Sequence, residues 1–315
     1  MPDISLAPLV IAHQLPVEFA TRIGAALPPD VGWRALNPQA AWEVPEDAQI
    51  LLAVPGRGGN IATPAQPPAG WPRNLKWIQA VSAGIDEYPP WIFDVKLVTC
   101  GRGTNSAPIS EFVLAALLAN VKRLPEIWIS DAAAWKITEL GTLAGQTLGL
   151  VGYGSIGQAI AARALPFGME IVATARTKNS GSGENGVRFA PLDDVLAASD
   201  HLVIAMPLTA ATAGLIGRAA FARVKRGVHL VNISRGRIID HDALLEALDS
   251  GRVGAATLDV TEPEPLPAGI RCIRIPEQKY RRICPGATGC GAAQVLRSSP
   301  PICGASSPAK HLKGL

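Results

Sequence analysis

Cysteine is nearly absent from most of the chain. Residues 1–270 contain only Cys100, and the other four, Cys272, Cys284, Cys290 and Cys303, all lie beyond them. A body with one thiol has no disulfide framework, and the later spacings fit no paired C-x-x-C zinc set, so no metal centre is expected. Long apolar runs are also missing: none approaches the roughly 20 residues that span a bilayer. The first ten residues include Asp3 and no basic stretch, unlike a secretory signal, which leaves a soluble cytoplasmic protein as the expectation. Eight Lys and Arg face a single acid, Glu277, from Arg271 onward, whereas residues 1–270 carry a net charge of −4. That basic segment is broken by Pro, Gly and Cys, and Tyr280 is its only aromatic, so it does not read as a nucleic-acid surface.

What is present suits a folded α/β chain. Apolar residues make up 48% and charged ones 17%, enough for a packed core. Four short apolar runs, Leu9–Ala12, Ile50–Val54, Leu75–Ala80 and Lys96–Cys100, are bounded by Pro, Gly or Asn, as strands are. Val17–Leu27 has helical spacing between the first two, which makes residues 1–101 a small α/β domain. Ser106–Val121 is apolar almost all round and predicts a buried helix. Strand-like runs then follow at Thr147–Val151, Ile171–Thr174, His201–Ala205, His229–Ile233 and Ala255–Val260. They alternate with helical stretches at Gln158–Leu165, Leu192–Ala198, Arg218–Lys225 and Asp242–Leu248, with Asp240 as an N-cap and Gly251 as a stop. Regular alternation predicts a doubly wound parallel sheet over residues 102–270. Beyond about Ile270 the periodicity is lost, and residues 271–315 read as an aberrant tail, disordered after about 286.

The run Val151-Gly152-Tyr153-Gly154-Ser155-Ile156-Gly157 follows a strand and opens a helix, the context of a Rossmann dinucleotide fingerprint. Gly152 permits the tight turn, Gly154 lets the backbone approach a pyrophosphate, and Gly157 lets helix and strand pack. The helix N-terminus supplies free N–H groups to the phosphates. An NAD site usually has a carboxylate at the end of the second strand for the ribose 2′-OH. Here the chain reads Ala175-Arg176-Thr177-Lys178. A carboxylate would repel a 2′-phosphate, whereas Arg176 can grip one with paired donors, so NADP(H) is the expected cofactor over NAD(H).

From about Leu75 to Ala268 the chain resembles the D-isomer-specific 2-hydroxyacid dehydrogenases, nearest to their NADPH-dependent glyoxylate/hydroxypyruvate reductase branch. The resemblance rests on Leu143–Gly149 leading into the glycine loop, on Pro207-Leu208-Thr209 with Thr212, and above all on Val231-Asn232-Ile233-Ser234-Arg235-Gly236. Leu258-Asp259-Val260 and Glu262-Pro263-Glu264-Pro265-Leu266-Pro267 complete it. It implies a Rossmann-type cofactor domain beside a smaller flavodoxin-like substrate domain, which the family's C-terminal segment completes and which the tail of this chain leaves incomplete. It further implies hydride transfer between the nicotinamide cofactor and a small 2-oxo or 2-hydroxy acid, and a homodimer formed through the cofactor domain. Arg235 would bind the substrate carboxylate and carbonyl oxygen, a role that suits an always-charged fork. Glu264 would orient a histidine acid/base. Ser82, Ala83 and Gly84 would offer backbone N–H groups to the carboxylate. Pro207, Thr212, Ile233 and Ser234 would line the cofactor, and Asp259 would face the carboxamide of the nicotinamide. Asn105 and Glu111 read as structural. Side-chain selectivity would fall to loops such as Pro55–Asn60 and Trp71–Trp77. The same motifs do not exclude relatives acting on formate or phosphite.

One part of the pattern is missing. The family has a histidine in a Ser/Thr-Pro-His context some 15–20 residues past the glutamate, suited to proton transfer by a pKa near neutrality. Beyond Glu264 this chain has only His311. Residues 270–285, read one base out of register, are compatible with a string that runs from His-Pro-Leu-Tyr-Thr-His-Pro-Arg to Ser-Pro-His. The recovered histidine falls at the position of Ile283. A single-base frameshift near Gly269 accounts together for the lost periodicity, the Cys and Arg excess and the absent histidine. Hydride transfer impaired by the missing acid is therefore the leading expectation, and a non-catalytic NADP(H)-binding or regulatory protein is the other.

Overall fold

Three of the four early apolar runs become interior strands of one parallel sheet, and the fourth closes one of its edges. In a computed structural model, which describes residues 8–56, 61, 63–124, 126–176, 183–263 and 280–281, these strands are β1 (Val10–His13), β3 (Ile50–Ala53), β4 (Trp77–Ala80) and β5 (Leu97–Cys100). A strand not expected from the sequence, β2 (Gly32–Ala35), pairs with β1 at the other edge. None of its four residues is buried, so no apolar run marks it. Helix α1 (Val17–Gly24) connects β1 to β2. The order β2-β1-β3-β4-β5 is that of flavodoxin-like sheets. Leu51, Ile78 and Ile92 are fully enclosed in its core. The Trp71 ring meets Trp42 and Trp91 edge-on, and its Nε1 donates to the Trp91 carbonyl at 3.1 Å.

The second sheet carries the alternating pattern. Its strands are β6 (Thr147–Val151), β7 (Glu170–Thr174), β8 (Gly183–Glu184), β9 (Val187–Phe189), β10 (His201–Ile204), β11 (Val228–Asn232), β12 (Val253–Leu258) and β13 (Tyr280–Arg281). The order β13-β12-β11-β10-β6-β7-β9-β8 is parallel except for the β8–β9 hairpin. Disregarding β8 and β13, it is the Rossmann order 3-2-1-4-5-6, with the switch point between β6 and β10. Every residue of β10 and β11 is buried, which is why these strands read as continuous apolar runs. The hairpin turns at Asn185-Gly186, both at positive φ, as a two-residue turn with right-handed strand twist requires.

Helix α2 (Ser106–Val121) leads out of the first sheet and packs against α3 (Ser155–Ala164) and β11. On the other face lie α4 (Leu192–Ala198), α5 (Arg218–Arg223) and α6 (His241–Asp249). Asp240 caps α6, accepting from the Ala243 N–H at 3.1 Å, and Gly251 ends it at φ 68° with its N–H on the Leu248 carbonyl. Strand β13 pairs with β12 inside the segment from which no element was expected. Among the described residues no helix is long and apolar enough to cross a membrane.

Candidate cofactor and substrate site

The glycine loop leaves β6 at the switch point, where open α/β sheets hold their ligands. Its three glycines differ in surroundings. A Cβ on Gly152, at φ 112°, would meet the Ala205 carbonyl oxygen at 2.6 Å, and one on Gly157 would meet the Gly152 oxygen at 2.5 Å. Around Gly154, among the described residues, nothing apart from its own chain neighbours lies within 4 Å of that position. Packing therefore requires two of the glycines, whereas the third opens onto space at the N-terminus of α3. The loop is tied to β7 by the Gly152 N–H, which donates to Thr174 Oγ1 at 3.1 Å. Beside it a cavity of about 400 Å³ is lined by Val151, Thr174, Arg176, Pro191 and Met206 among others. Arg176 stands exposed at its rim. Thr177, Lys178 and Glu264 lie outside the described residues.

On the far side of β10, the end of β11 turns through Ile233-Ser234-Arg235. Asn232 shapes this turn: its Oδ1 accepts from Ser234 N at 3.0 Å and its Nδ2 donates to the Arg235 carbonyl at 3.0 Å. Ser234 Oγ donates to Ile204 O on the adjacent strand, and Ile233 is buried. Gly236 packs so tightly on the Thr261 backbone that a Cβ there would collide with it. Arg235 is thereby aimed across the cleft at the loop after β4. Its Nε and Nη2 donate to the two carboxylate oxygens of Asp86 at 2.9 and 2.8 Å, and a Cβ on Gly84 would collide with Nη2. Ser82 steadies that loop, its hydroxyl lying 2.6 Å from Gly84 O and 3.1 Å from the Tyr88 hydroxyl. Ala83 is exposed beside them. A cavity of about 300 Å³ lies between Asp86, Glu87, Leu208, Arg235, Thr261 and Glu262. The loop after β10 is closed by Thr212, whose hydroxyl lies 2.8 Å from the Pro207 carbonyl and accepts from Thr209 N at 2.7 Å. Asp259, just past β12, is half-buried, with its N–H on Asn232 O.

Residues 114–278 match the family model described as D-isomer specific 2-hydroxyacid dehydrogenase, NAD binding domain. The chain belongs to that family. It is 35% identical over 206 residues to a human glyoxylate reductase/hydroxypyruvate reductase, a match covering 62% of each chain. It is 39% identical over 167 residues to a glyoxylate reductase of Thermococcus gammatolerans, covering half of each. The match thus spans between half and two thirds of the length of these relatives. The fold is similar to that of a D-isomer specific 2-hydroxyacid dehydrogenase from Xanthobacter autotrophicus Py2 solved with NADPH and MES, with a TM-score of 0.70, 26% identity, and 88% of this chain and 87% of that one covered.

His201 and His229 open β10 and β11, at the opposite end of the sheet from the glycine loop. Burial drives the His201 pKa down to about 4, against a smaller upward pull from Asp200. His13 ends β1 beneath Trp33, with ring centroids 4.2 Å apart, and burial lowers its pKa too. His241 begins α6. Asn105 precedes α2 without a side-chain cap, and Glu111 faces Arg163 at 3.9 Å. The reading of the sequence gave no role to Asp86, Thr174 or Asn232. Asn232 stood within the quoted Val231–Gly236 block, and its capacity to bridge a tight turn was the available signal.

Proposed function

We propose that this chain binds NADP(H) and reduces a small 2-oxo acid, glyoxylate or hydroxypyruvate in type, with proton transfer impaired in the chain as written. The observation that carries the reading is the pairing of an open glycine cradle at the β6/β10 switch point with Arg235 projecting from the end of β11. The open position above Gly154 fits a dinucleotide, which Gly152–Gly157, Pro207, Thr212, Ile233, Ser234 and Asp259 would hold. When bound, this cofactor supplies the hydride. Arg176, with Thr177 and Lys178, would receive a 2′-phosphate. Arg235 would hold the substrate carboxylate and carry negative charge growing on the carbonyl oxygen, while the N–H groups of Ser82–Gly84 would receive the other carboxylate oxygen.

A proton must reach that oxygen, and the sequence has no histidine in a Ser/Thr-Pro-His context to supply it. The frameshift reading places the missing imidazole at the position of Ile283, where Glu264 would orient it. Without it the loss in rate is about 10²–10⁴-fold. The test separates binding from turnover. Quenching titrations should show NADPH binding in the chain as written, with slow glyoxylate-dependent oxidation of NADPH. Absence of NADPH binding would remove the proposal. A homodimer belongs to the same reading. Trp128, Trp135 and Ile137, between α2 and β6, are 65%, 71% and 90% exposed, apolar surface that a second copy would cover. Light scattering should then give twice the chain mass, and Trp135→Asp should give monomers.

A further inference from the structure

We propose that Asp86 is a built-in competitor for the anion seat of Arg235: its carboxylate holds the guanidinium in the free protein, and a substrate carboxylate binds by displacing it. The inference rests on the reading of Arg235 as the carboxylate-binding group.

A guanidinium binds a carboxylate best along one edge, through two parallel N–H groups. The Nε/Nη2 edge of Arg235 is filled by Asp86, with both bonds at 2.9 Å or shorter. On the other edge Nη1 donates to the Ser234 carbonyl at 2.9 Å. An incoming acid therefore finds no free edge. The pair is part-buried, with the two side chains 24% and 31% exposed, so solvent screens it less than a surface pair. Asp86 and the acid are chemically alike toward the fork. Affinity for the acid is then the difference between two similar interactions, and it falls below what the same fork would give if free.

The arrangement is also a tie between sheets. Asp86 lies 149 residues from Arg235 in the sequence, on the loop after β4 of the first sheet, whereas Arg235 ends β11 of the second. Gly84, which no side chain could replace without striking Nη2, brings the loop close enough for the pair to form.

The test uses oxamate, a single-carboxylate mimic of a 2-oxo acid that cannot be reduced, titrated calorimetrically into the NADPH-saturated protein. This avoids dependence on turnover. Asp86→Asn keeps the shape but offers only one acceptor oxygen, and it should bind oxamate about tenfold more tightly, the ratio equivalent to 1.4 kcal/mol. Asp86→Ser should do the same, and thermal melts would identify a variant that fails to fold. A merely structural Asp86 would weaken binding when replaced, so a gain in affinity distinguishes the two roles. Arg235→Gln should lose oxamate in every background. Unchanged or weaker binding in both folded Asp86 variants, with binding still lost in Arg235→Gln, overturns the competitor and leaves the carboxylate seat intact. Binding that survives Arg235→Gln, or no binding in any chain, removes the seat itself and the proposal with it.

Discussion

His201 and His229 face each other through their Nδ1 atoms at 3.2 Å, in the middle of a polar chain that crosses three parallel strands and ends on Gln146, just before β6. His201 Nε2 lies 2.6 Å from Gln146 Oε1, and His229 Nε2 lies 2.9 Å from Thr257 Oγ1. One direction satisfies every member. Thr257 donates to His229 Nε2, His229 Nδ1–H donates to His201 Nδ1, and His201 Nε2–H donates to Gln146. Both rings are then neutral and of different tautomers, and a further proton would set two donors against each other.

Acid should therefore loosen the nucleotide-binding sheet. His201 titrates at about 4 in the folded chain against 6.5 for a free imidazole. Between those values the unfolded chain holds the extra proton, so stability is complete above about pH 6.5 and falls as pH drops toward 4. The full loss is about 3 kcal/mol. Asp200, which burial pushes up but the Thr147 N–H and Lys225 pull down further, stays ionised through this window and softens the effect. Urea melts at pH 7 and pH 5 should show the loss, and His201→Phe should flatten the slope while costing about 1–3 kcal/mol at pH 7 by orphaning the His229 donor. His13, its pKa also lowered by burial, would keep a residual slope in that variant.

Gly154→Val should separate binding from folding. The backbone at Gly154 is extended, with φ −84° and ψ −163°, and its Cβ direction is empty to 4 Å. Stability should change by no more than about 0.5 kcal/mol. NADPH affinity should fall at least about tenfold as the side chain fills the phosphate space. Gly157→Ala should do the reverse, destabilising the fold through contact with the Gly152 carbonyl. Equal NADPH affinity in Gly154→Val and the parent chain would move the cofactor elsewhere.

Arg176→Ala should alter the choice of nucleotide rather than the capacity to bind one. Loss of a charge-assisted contact to a 2′-phosphate is worth about 1.5–3 kcal/mol, or roughly 10–100-fold in NADPH affinity, with NADH unaffected. Fluorescence titration of both cofactors checks this. Similar dissociation constants for NADH and NADPH in the parent chain would show that Arg176 does not select.

Reading the segment after Gly269 one base out of register should restore turnover. Resequencing across the codons for Ala268 to Gly286 addresses the record. A chain made with the alternative frame should oxidise NADPH with glyoxylate about 10²–10⁴-fold faster than the chain as written. Equal rates would refute the shifted frame as the source of the acid.

Much of the nucleotide-binding sheet was legible because parallel strands covered on both faces must be apolar throughout, as in Leu202–Ile204 and Leu230–Val231. Asp240 and Gly251 marked the bounds of α6 for equally local reasons, a side-chain acceptor at one end and a left-handed residue at the other. β2 was not legible: Trp33 and Arg34 are held at an edge by pairing with β1, and pairing leaves no trace in hydropathy. The β8–β9 hairpin was overlooked although Asn185-Gly186 announces it.

By itself the sequence determined the alternation of strands and helices and the glycine loop of a dinucleotide-binding domain, because each depends on residues close together in the chain. Only the tertiary structure decided that Thr174 braces the loop, that Gly154 opens onto space while its two companions do not, and that Arg235 is already engaged by Asp86. These depend on which strands become neighbours. That is settled by burying both faces of a sheet at once, a condition on the whole chain rather than on any segment of it.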